Sequence, residues 1–101
     1  MFVAVALFEL HIEFAESLKD KRMVVKSLRD KLRNRFPISV AEVGLQDVHQ
    51  HSRMALSFVT TDKSYAESTF EKVQTFIESN TDATLAGWTQ ELLDFDEDAS
   101  L

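Results

Sequence analysis

Cysteine is absent from this 101-residue chain, which excludes a disulfide, a thiolate nucleophile and a cysteine-ligated zinc site. Glycine occurs only as Gly44 and Gly87, so no GXXG loop exists to clamp a nucleic-acid backbone. The first apolar segment ends in EFAES, where Glu13 and Glu16 would repel a phosphate that an acylphosphatase-type enzyme must cradle. No enzyme activity and no cofactor are expected. Long apolar runs are also missing, and none approaches the roughly 18 residues of a membrane span. MFVAVALFEL lacks the basic start and small-residue cleavage site of a signal peptide. These absences point to an intracellular protein with no membrane partner.

What remains is ordinary globular material, 45% apolar and 28% charged, in a length suited to one core. Over residues 2–14 a period of two places Phe2, Ala4, Ala6, Phe8, Leu10, Ile12 and Phe14 on one face of an extended segment. The opposite face carries Val3, Val5 and Leu7, then Glu9, His11 and Glu13. Ser17 followed by Asp20 has the form of a capping box, so a helix is predicted from Leu18. Its apolar stripe is Leu18, Val25, Leu28, Leu32 and Phe36, and Pro37 stops it.

ISVAEV (38–43) and MALSFVT (54–60) read as strands joined through Gly44 and LQDVHQHSR. After TTDKS, Ala66, Phe70, Val73, Phe76 and Ile77 recur at helical spacing, with Asn80 as a left-handed cap. Residues 83–93 form a last strand, and DFDEDASL (94–101) is an acidic tail expected to be mobile. The order is strand, helix, strand, strand, helix, strand. It predicts an α+β, ferredoxin-like βαββαβ domain over residues 1–93, a four-stranded antiparallel sheet with two helices on one face.

FELHI (8–12), SLKDKRMVVKSLRDKLRNRF (17–36) and ISVAEV followed by Gln46 and Asp47 resemble the YlxP-like bacterial family, domain of unknown function 503, over about residues 1–93. The resemblance implies a ferredoxin-like fold, a cytoplasmic bacterial protein and no established activity. Genes of the family often lie near those for transcription and translation factors, including ribosome-binding factor A, which implies a role near the ribosome. The chain departs from the family pattern at Glu13–Ala15, where a Pro-Gly type turn is common, and at His49 and His51, so no role is carried over for those positions.

The charge distribution supplies the main candidate site. Residues 19–35 hold eight basic and two acidic residues, a local charge of +6, whereas the remainder holds three basic and fifteen acidic, a local charge of −12. At helical spacing Arg22, Lys26, Arg29 and Arg33 form a row beside the apolar stripe, supported by Lys19, Lys21 and Lys31. Such a row can follow a phosphate backbone, and screening over about 8 Å decouples it from the distant acidic tail. Ribosomal RNA or a ribosome-associated protein is the expected partner, and a solvated helix face is the plain alternative. The sheet is not the expected reader of RNA, because Glu9 and Glu13 face outward and SRMALSFV lacks the aromatic spacing of an RNA-recognition strand.

Two further groups stand out. If residues 47–51 are extended, Asp47, His49 and His51 share a face and can bind a divalent metal, although no resident metal is expected. Val3, Val5 and Leu7, with Trp88, are candidates for an exposed apolar interface. They suit the alternative function, a homodimeric interaction module with no nucleic-acid role.

Overall fold

The computed structural model describes all 101 residues, in the order β1 (Phe2–His11), α1 (Leu18–Arg35), β2 (Ser39–Gly44), β3 (His51–Thr60), α2 (Lys63–Asn80) and β4 (Thr84–Asp94). The strands form one antiparallel sheet in the order β2-β3-β1-β4, with both helices packed on one face: the ferredoxin-like fold. No helix is long and apolar enough to cross a membrane.

Alternation in β1 buries Ala4, Ala6, Phe8 and Leu10 on the helix side, with Ile12 just beyond the strand. The expected extension to Phe14 does not occur. The chain turns at Glu13–Phe14, the Ala15 N–H donates to Ile12 O at 3.0 Å, and Phe14 is left 49% exposed while Ala15 takes the buried place. Entry into α1 requires this reversal. Ser17 then caps the helix: its backbone is extended and its Oγ accepts from the Asp20 N–H at 3.1 Å. The reciprocal bond goes one residue further out than in a capping box, from the Glu16 N–H to Asp20 Oδ2 at 3.0 Å. Ser17→Ala is expected to cost about 1 kcal/mol in urea unfolding.

At the far end Phe36 is extended ahead of Pro37, and its N–H closes onto Leu32 O at 2.9 Å. Asp62 caps α2 by accepting from the Ser64 and Tyr65 N–H groups. Asn80 is not the left-handed cap that was expected. It is the last helical residue, its Nδ2 donates to Phe76 O, and the C-cap is Thr81 in an extended conformation, followed by a bend at Asp82–Ala83. The one non-glycine residue with positive φ is Leu45, in the β2–β3 connection.

Val25, Leu28 and Leu32 of α1 and Ala66, Phe70, Val73 and Ile77 of α2 meet the inner sheet face in a single core. Trp88 belongs to this side. Its ring stacks on Phe8 at 5.5 Å and meets Phe70 edge-on at 6.2 Å, so it is not part of the outer-face interface expected from the sequence. The unbroken register from Phe2–Asp94 to Glu9–Gly87 sets Trp88 opposite Phe8 and so inward, and the bulge beyond Gly87 turns Leu85 to the same inner face.

The acidic tail is held at its start. Because Phe2 pairs with Asp94, the next residues continue the ladder: the Phe95 N–H donates to Met1 O, and the Met1 amine donates to Phe95 O and Glu97 Oε2. The hydrogen bond to Glu97 raises the amine's pKa and lowers that of the carboxyl.

Candidate functional site

The eight basic residues of 19–35 divide into three sets according to the direction in which α1 points them. At about 100° per residue, Lys21 lies in the middle of the stripe formed by Val25, Leu28 and Leu32. It is fully buried, so it is withdrawn from the anion-binding set. Its Nζ donates to Leu45 O at 2.7 Å, Gln46 O at 3.0 Å and His51 O at 3.4 Å, and lies 3.2 Å from Glu42 Oε2. Glu42 Oε2 also accepts from Ser52 Oγ at 2.6 Å. The left-handed turn at Leu45 brings two consecutive carbonyls onto one ammonium group, and Lys21 thereby pins the β2–β3 connection to α1.

The second set is spent on packing. Arg33 Nη2 donates to Val40 O at 2.9 Å on the edge strand β2. Lys31 donates to Asn80 O at the end of α2, and the Arg35 guanidinium lies 5.2 Å from the Phe36 ring centre. The third set is free or nearly so. Lys19, Arg22 and Lys26 are exposed and make no hydrogen bond or ion pair with the protein, while Arg29 reaches only its neighbour Asp30 at 3.4 Å. The part of that row left unengaged is Arg22 and Lys26, flanked by Lys19 and continued by Arg29 beside Asp30, with Arg33 committed to β2.

The histidines are arranged differently from the metal hypothesis. Asp47 lies in a turn, His49 is exposed in the connection, and only His51 is in a strand. No three His, Asp or Glu side chains come together in a way that could hold a metal ion. Sequence reasoning missed the partner that His51 does have. It pairs with His11 across β1 and β3, and the two rings stack 4.7 Å apart, nearly parallel. The equal parity of His11 with Glu9 and Leu7 was visible in the sequence, but the register that brings it opposite His51 was not.

The open face of the sheet presents Val3, Val5 and Leu7 as expected. Beside them stand Val59, 61% exposed, Ala55 and Leu93, and towards the other end lie Glu9 and Arg53, 3.5 Å apart. A depression of about 500 Å³ lies on the helix side, bordered by Phe14, Met23, Lys31 and Asn80. Its ionisable lining is Lys31 and Asp82.

The family described as "Protein of unknown function (DUF503)" matches residues 3–90. The chain is similar to the "Uncharacterized protein YlxP" of Bacillus subtilis (strain 168), with 34% identity over 65 residues, 64% of this chain and 71% of that protein. Among solved structures it is similar to a de novo designed protein with a ferredoxin fold, at 16% identity and a TM-score of 0.45, over all of this chain and 93% of the other.

Proposed function

The chain belongs to the DUF503 family, and from that premise we propose that it is a small binding protein whose first helix docks on ribosomal RNA or a ribosome-associated factor. The observation that carries the reading is the row Arg22, Lys26 and Arg29, of which the first two are exposed with no partner within the protein and the third is half-buried beside Asp30. A cation row with only one weak internal pair, Arg29 with Asp30, on an otherwise acidic chain has its charges available for counterion release from a polyanion. The guanidinium groups of Arg22 and Arg29 can each fork onto phosphate oxygens, and Lys26 between them adds a point charge. Arg33 and Lys31 contribute long-range potential while keeping their structural bonds. Lys21 contributes no contact, because Glu42 and three carbonyls enclose it.

The test is binding to small ribosomal subunits and to free structured RNA across a salt series. Three phosphate contacts predict a loss of roughly 20- to 40-fold in affinity between about 50 and 200 mM salt. Arg22→Glu, Lys26→Glu and Arg29→Glu combined should abolish the binding and its salt dependence, with the circular dichroism spectrum unchanged. Binding that is insensitive to salt, or that survives the triple reversal, sinks the reading and leaves the row as a solvated helix face.

A further inference from the structure

We propose that a second copy of this chain docks on the open sheet face, about a two-fold axis that runs along the strands between β1 and β3. Glu9 of each copy then meets Arg53 of the other. The proposal concerns the face opposite the helices and does not rest on the reading of α1.

In the strand order β2-β3-β1-β4 the centre of the sheet lies between β3 and β1. A face-to-face pair of identical sheets has its two-fold axis in the plane between them. An axis along the strands keeps like ends together, apolar on apolar, and carries each β1 residue over the β3 residue opposite it in the ladder. Val3 is opposite Val59, Leu7 opposite Ala55, Glu9 opposite Arg53 and His11 opposite His51. Across the interface the same pairs recur between copies. Two Glu9–Arg53 contacts of opposite sign result, and no like charges are brought together on the central strands. Aligned sheets cross at about 30°, but the two central strands straddle the axis, where this twist displaces partners least.

Area selects the whole face over its apolar end alone. Three strands of ten or eleven residues and the shorter β2, about 4.8 Å apart, present a footprint of roughly 600 Å² per copy before side-chain relief is added. A standard interface takes about 800 Å² per partner. Val3, Val5, Leu7, Val59 and Leu93 cover only about a quarter of that footprint, so a stable pair must extend over the Glu9–Arg53 row as well. Within one copy this pair is long, at 3.5 Å, and exposed, which leaves both groups able to bond across the axis.

Sedimentation velocity over a wide range of concentration tests the idea with two variants. Glu9→Arg places Arg against Arg53 of the other copy, and Arg53→Glu places Glu against Glu9. Each alone should dissociate at least about 10-fold more readily than the wild type. An equal mixture of the two should form a heterodimer of wild-type strength, because every contact across the axis is again between opposite charges. Circular dichroism of each variant confirms that it is folded. A wild-type monomer at all concentrations overturns the proposal. So does a dimer indifferent to both reversals, since pairing through the β4 edge would give that result. The α1 triple reversal leaves the dimer unchanged, so failure here is separable from failure of the helix reading.

Discussion

Lys21→Met is expected to lower the free energy of unfolding by about 3–5 kcal/mol, the largest loss for any substitution among the basic residues. Methionine keeps most of the volume, so the loss is electrostatic. It leaves Glu42 without its counter-charge, and the Leu45, Gln46 and His51 carbonyls lose their shared donor. A protein of this size has about 5–15 kcal/mol in total, so the variant should be marginal, with its thermal midpoint lowered by well over 10 °C. Arg22→Met, one residue along and exposed, should lie within about 0.5 kcal/mol of wild type in the same urea titration. Adding Glu42→Gln to Lys21→Met should recover about 1 kcal/mol or more by removing the orphaned charge. Equal stability of Lys21→Met and Arg22→Met would show that Lys21 does not hold the β2–β3 connection.

The second large effect belongs to Phe70. Its ring meets Phe58 at 5.6 Å and Trp88 at 6.2 Å, so it bridges α2 to β3 and β4 from a nearly inaccessible position. Phe70→Ala should cost about 3–5 kcal/mol, from lost transfer energy together with the cavity left behind. Trp88 is the only tryptophan, so its fluorescence reports the event directly. Loss of the Phe70 ring should shift its emission in the folded state, and the unfolding midpoint should fall in the same titration. Trp88→Phe keeps an aromatic ring against Phe8 and should be far milder; a comparable loss would mean that the cluster depends on the indole bond to Gln90 Oε1.

Much of the site was legible before any coordinates, and the exceptions share one cause. Arg22, Lys26 and Arg29 fall on the outer side of α1 because helical spacing alone fixes their direction relative to Val25, Leu28 and Leu32. The same rule placed Lys21 inside the stripe, three residues after Leu18 and four before Val25, so its position was a readable signal for burial. What could not be read was which groups it would find there. Its acceptors come from residues 21 to 30 positions further along the chain, assembled by the β2–β3 connection.

The sequence by itself determined the six elements, the cap at Ser17, the stop at Pro37 and the polarity of the charge, because each depends on neighbours within a few residues; which residue of TTDKS caps α2 it left open. Tertiary structure alone decided that Trp88 turns inward, that His11 stacks on His51, and that Phe95 continues the ladder beside Met1. These depend on strand register, and a shift of one residue sends every side chain to the opposite face. In β4 both alternating sets contain apolar residues, so local patterning was indifferent to the choice. The pairing of Trp88 with Phe8 of β1 made it.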